Sequence, residues 1–81
     1  MKTLYSPHFK KSFKALPIEV KKKLKKQINF LLENFCHPSL RCKKYDERRG
    51  VWQARVNRHY RFYFLIKSDT YILLEIKPHP K

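Results

Sequence analysis

The apolar residues of this 81-residue chain change their period after Pro38, and nothing else constrains the fold as strongly. Before that point Val20, Leu24, Ile28, Leu31 and Phe35 recur at steps of four, four, three and four, with Leu32 widening the stripe. That spacing predicts one long amphipathic helix, opened by Pro17. Upstream, Ser6-Pro7 supplies an N-cap followed by proline at the first helical position. Phe9, Phe13 and Leu16 then continue at helical spacing, so a short first helix is expected to about Leu16. Residues 2–5 read as a short strand.

Beyond Pro38 the period falls to two. Residues 40–46 can hold a short strand, 46–50 form a polar turn, and 51–56 and 59–66 are strands joined around Asn57-Arg58. Lys67-Ser68-Asp69 is a second tight turn, and 70–77 is the last strand. With a single glycine and five prolines, the chain favours regular elements joined by short turns. No repeat, linker or low-complexity block divides it. The order predicts one α+β domain over residues 1–81, two N-terminal helices packed on a mainly antiparallel sheet of four to five strands.

Alternation then sorts the strand residues by face. Tyr60, Phe62, Phe64 and Ile66 are expected against the helices, as are Trp52, Ala54 and Val56, and Ile72, Leu74 and Ile76. The opposite, open face receives Gln53, Arg55, His59, Arg61, Tyr63 and Leu65. From the last strand it takes Tyr71, Leu73, Glu75, Lys77 and, if the strand stays extended, His79. Cations there stand beside a histidine or tyrosine. Cleavage of RNA by its own 2′-hydroxyl needs a proton taken from that hydroxyl, a proton given to the 5′-oxygen, and positive charge on the crowded phosphorane. Histidine and arginine are suited to those tasks. No cluster of carboxylates is positioned to hold paired metal ions, so no metal or other cofactor is expected.

Lysine and arginine outnumber aspartate and glutamate by 20 to 6, a formal charge of +14. Charge of that density disfavours the compact state by self-repulsion and points to a polyanionic partner, nucleic acid first. The lysine run at 21–26 has two readings. It is either a solvated helix face or, through Lys22 and Lys26, a phosphate-contacting one. Taken singly, Arg55 and Arg61 are ordinary solvated strand residues, and His8, His37 and His59 are incidental. The functional reading rests on their convergence. No segment has the length to span a bilayer, and the N-terminus lacks the apolar run of a signal peptide, so a cytoplasmic protein without a membrane partner is expected. Cys36 and Cys42 flank His37 without a fourth zinc ligand nearby. A disulfide is sterically open to them, but reduced thiols fit the expected compartment better.

The stretch Gly50-Val51-Trp52-Gln53-Ala54-Arg55-Val56-Asn57-Arg58-His59-Tyr60-Arg61-Phe62 resembles the signature region of the RelE/ParE superfamily of bacterial toxins. Phe13-Lys14-Ala15-Leu16-Pro17 before the long helix, the helix end at Asn34 to Pro38, and Lys43-Lys44-Tyr45 before the turn are similar as well. So is the closing Leu73-Leu74-Glu75-Ile76-Lys77-Pro78-His79. The resemblance covers nearly the whole chain. It implies two helices on a curved antiparallel sheet and the toxin half of a toxin–antitoxin pair, with an acidic antitoxin as partner. Many such toxins are metal-independent endoribonucleases that cut mRNA on the ribosome and so inhibit translation. Others inhibit DNA gyrase, and a non-catalytic basic RNA-binding module is a third possibility.

In the ribonuclease branch the resemblance makes Arg55, Arg61 and His79 the catalytic residues. Lys43 or Lys44 assists, and Arg58, His59, Tyr63, Lys77, Lys22 and Lys26 are RNA contacts. One departure stands out. Ribonuclease members often carry an aromatic beside or after the terminal basic residue, whereas His79 here lies between Pro78 and Pro80. Base stacking, or a tyrosine-assisted step, is then without its usual residue unless Tyr63 substitutes.

Overall fold

Ser6 starts the first helix as its neighbours require. In the computed structural model, which describes residues 2–78, its Oγ accepts the Phe9 N–H at 3.0 Å, and Pro7 occupies the first helical turn. The elements run β1 (Lys2–Tyr5), α1 (Pro7–Lys14), α2 (Ile18–Glu33), a 3₁₀ turn (Pro38–Leu40), β2 (Lys43–Asp46), β3 (Val51–Arg55), β4 (Tyr60–Lys67) and β5 (Thr70–Pro78). The five strands form one sheet in the order β1-β5-β4-β3-β2. β1 lies parallel to β5, and every other pairing is antiparallel. Among the described residues, no helix is long and apolar enough to cross a membrane.

The two helices cover one face of this sheet. Leu24 and Leu31 of α2 are wholly buried with Phe62, Phe64, Ala54, Val56 and Leu73, and Phe9 of α1 completes the cluster. Burial of each large side chain supplies about 1.5–3 kcal/mol, which is the main support for the fold. The helical stripe departs from expectation at its end. Asn34 adopts an extended backbone and its Oδ1 accepts the Cys36 N–H at 3.0 Å, so α2 stops before Phe35. Phe35 still packs edge-on against Trp52, with ring centroids 4.9 Å apart. Leu32, expected to widen the stripe, is exposed, and so is Ile66 near the end of β4.

A bulge corrects the face assignment of β5. Phe64 pairs with Leu73 but Tyr63 pairs with Glu75, which leaves Leu74 as an extra residue. Tyr71 and Leu73 therefore enter the core, while Ile72 and Leu74, expected there, do not. After the bulge the expected phase returns, with Ile76 inward and Glu75 and Lys77 outward. Ser6 meets the bulge directly. Its backbone N–H reaches the Leu73 carbonyl at 3.0 Å, and its hydroxyl donates to the Leu74 carbonyl at 2.9 Å. The start of α1 thus satisfies the backbone that the bulge takes out of the ladder.

Candidate nucleic-acid interface

Residues directly opposite in a sheet share a face, so register gives the layout of the uncovered side. Arg55 of β3 faces Arg61 of β4, which faces Lys77 of β5, making one cationic row across three strands. The adjacent row runs Lys43, Gln53, Tyr63, Glu75 across four. The turn after β3 holds Arg61 in place. Asn57 Oδ1 accepts the N–H groups of His59 and Tyr60 at 2.8 and 2.9 Å, and Arg61 Nη1 donates to the carbonyls of Asn57 and Tyr60 at 2.6 and 3.0 Å. A guanidinium anchored on one edge keeps its other donors for a ligand.

Burial lowers the pKa of Arg61 from its ordinary value, and the like charges of Arg55 and Arg41 lower it further, with Tyr63 acting in the opposite sense. Arg55 and Arg41 thus disfavour the charge on Arg61, so an anion bound beside it relieves repulsion as well as making hydrogen bonds. Lys77 is different. It donates to Glu75 at 3.2 Å, and that bond raises its pKa.

The register also settles what the sequence left open in β2. Lys43 pairs with Gln53 on the open face, whereas Lys44 pairs with Trp52 and sets its ammonium 4.7 Å from the indole centroid on the helix side. Lys44 is thus removed from the open-face set. Lys22 and Lys26 are exposed on α2, on the helix-covered side, and the structure does not bring them to the arginines. Arg58 and His59 are exposed in the loop between β3 and β4. His79 lies outside the described residues.

Tyr63 does not serve as a free stacking platform. It is only 6% exposed, covered by Lys77 at 5.1 Å from its ring centroid and by the ring of Tyr45, whose centroid lies 4.7 Å away. Burial correspondingly raises the Tyr63 pKa. On the open face the exposed aromatic is Tyr45, at 54%, two residues after Lys43 and on the same side of β2. Tyr45 was absent from the expected site, although alternation gives it the face of Lys43 once the phase of β2 is known.

Three further residues were missed. Arg41, in the left-handed region at φ 47°, lies close enough to act on Arg61. His8 on α1 comes within 3.7 Å of Glu75. Gln27 is 1% exposed on the apolar face of α2, and its amide bonds both Ser39 and the Arg55 carbonyl. A polar residue one step before Ile28 on the helical stripe was the available sign of the last.

One short and one long helix on one side of a five-stranded mixed sheet, with the other side left open and cationic, define a small α+β class. The chain has the RelE/ParE-like microbial toxin fold. It superposes on the YoeB/ParE toxin from Agrobacterium tumefaciens with a TM-score of 0.81 at 12% identity, over 99% of this chain and 100% of that one. For YafQ from E. coli strain BL21(DE3) the values are 0.77 and 17%, over 96% and 92%. For the RelB-RelE antitoxin-toxin complex from Methanococcus jannaschii they are 0.77 and 22%, over 93% and 88%. No family model and no curated protein matches by sequence.

Proposed function

We propose that the chain is the toxin half of a toxin–antitoxin pair and that it cuts ribosome-bound mRNA without a metal ion. The row Arg55–Arg61–Lys77 on the uncovered sheet face carries this reading. The 2′-oxygen of the target nucleotide attacks phosphorus as its proton passes to a base. The bond to the 5′-oxygen breaks as that oxygen receives a proton, leaving a cyclic phosphate and a free 5′-hydroxyl. Arg61 and Arg55 stabilise the phosphorane through charge and hydrogen bonds that strengthen in the transition state. His79 is assigned proton transfer, and Lys43 assists from the next row. Tyr45 is the base-stacking residue. The partner is an acidic antitoxin, whose carboxylates neutralise the same surface. The fold's occurrence in a RelB-RelE antitoxin-toxin complex supports that assignment.

Primer extension on ribosome-bound mRNA tests the proposal by mapping the cut ends. Wild type should cleave, with Arg61→Ala slower by about 10²–10³-fold and His79→Ala by about 10²–10⁴-fold. Cleavage unchanged in both variants would displace the site. Inhibition of gyrase supercoiling without any cut would place the chain in the gyrase-directed branch instead.

A further inference from the structure

Where β3 ends, a cleft of about 500 Å³ opens between α2, the 3₁₀ turn and the loop that follows β3. Lys23, Arg41, Arg55 and Arg58 line it, together with Ser39 and Asn57. Among the described residues no carboxylate lines this cleft, and none of those cations takes part in an ion pair. Gathering like charges around a hollow is unfavourable unless an anion enters it. The backbone adds to that cost, because Arg41 sits at φ 47° and ψ 47°, where an L-residue is strained.

The walls are tied together. Gln27 Nε2 donates to the carbonyls of Ser39 at 3.2 Å and Arg55 at 2.8 Å, and its Oε1 accepts the Ser39 hydroxyl at 3.1 Å. One buried amide therefore joins α2, the 3₁₀ turn and β3, and holds the cations around the space instead of letting them splay apart.

We propose that this cleft is a second anion site, which seats a backbone phosphate of single-stranded RNA flanking the nucleotide on the open face. Lys23 and Arg58 are its distinguishing contacts. Arg55 belongs to both places, since it stands in the open-face row and also lines the cleft. A strand leaving the arginine row thus meets continuous positive charge around the end of β3. Arginine's planar fork suits phosphate oxygens, and the polar lining suits a backbone better than a base. The identity of the ligand as RNA rests on the function proposed above; the anion site itself rests on the cleft. Within the lysine run of α2, the assignment selects half-buried Lys23 in place of the exposed Lys22 and Lys26.

Fluorescence anisotropy tests this with labelled single-stranded RNA across a salt series. One oligonucleotide should be short enough to cover only the open face, and the other longer. Lys23→Ala and Arg58→Ala should each weaken the longer RNA and lower its log–log salt slope by about 0.7, one phosphate's worth for a single strand. Neither should change binding of the short one, and Lys23→Arg should restore the slope. Lys67→Ala, at the far end of β4, is the control and should match wild type in both. Circular dichroism melts confirm that the variants are folded. Unchanged slopes in both variants, with Arg61→Ala still weakening both RNAs, would overturn the cleft and leave the open-face reading intact. Absence of any RNA binding by wild type would overturn both. Binding of polyglutamate in preference to RNA, lost in the same variants, would reassign the cleft to an acidic protein.

Discussion

Strand β4 carries two proteins' worth of chemistry on alternate residues. Phe62 and Phe64 face the helices and are wholly buried, while Arg61 and Tyr63, which alternate with them, face the open side. On the inner face every side chain gains by leaving water and touching its neighbours. On the outer face the arginines stand opposite one another without a carboxylate between them. The first arrangement lowers the free energy of the folded chain, and the second raises it. A domain of this size keeps only about 5–15 kcal/mol of net stability, so a surface that works against folding needs a compensating use.

The comparison breaks most readily at Phe62 and Arg61. Phe62→Ala should cost about 3–5 kcal/mol in a denaturant titration, through lost transfer energy and the cavity left behind. Arg61→Ala should shift the same titration by no more than about 1 kcal/mol, because its two backbone hydrogen bonds are offset by relief of repulsion. Equal losses in the two variants would mean that the outer face is also part of the structural core.

Gln27 sharpens the contrast, since it is the polar residue that the inner side tolerates. Gln27→Leu keeps the volume but leaves the Arg55 carbonyl without its 2.8 Å partner. A loss of about 1–3 kcal/mol is expected, the desolvation cost of an unpaired buried acceptor. A neutral result would show that β3 and α2 hold together by apolar contact alone.

These residues also show what could be read from the sequence. Alternation placed Arg55, Arg61 and Lys77 on one face because each stands among apolar residues of a single phase. The same rule failed at β5, where Tyr71, Ile72, Leu73 and Leu74 are apolar in both phases and either face could take them. The Leu74 bulge decides, and its carbonyl is bonded by Ser6, 68 residues away in the chain. Lys43 and Lys44 were likewise equivalent until the pairing with Gln53 and Trp52 separated them. Arg41 fell in the segment 40–46 expected to be a strand, but β2 starts only at Lys43, and His8 lies on α1, so alternation could bring neither near the site. Helices and strands follow local spacing, whereas bulges, registers and clefts follow contacts made at a distance.

The smallest expected effect tests the boundary between the faces, at the point where the chain enters β2. Cys42 packs against the core, and the next residue, Lys43, is already on the open side. Burial pushes the Cys42 thiol from its ordinary 9.0 to about 11, with Cys36 acting in the same direction. The folded state therefore holds this proton more tightly than the unfolded chain does. Its stabilising contribution is complete below pH 9.0 and is lost as the pH rises from there to about 11. Tyr71, whose pKa burial raises from 10.0, adds a loss of the same sign at higher pH. A melting-temperature profile should thus be flat up to the thiol's ordinary value and decline above it. Cys42→Ala should flatten the first part of the decline and leave the later, tyrosine part. Alkylation gives an independent reading, with exposed Cys36 labelled before Cys42. A melting temperature that rose with pH, or labelling of Cys42 first, would put that thiol on the wet side of the sheet.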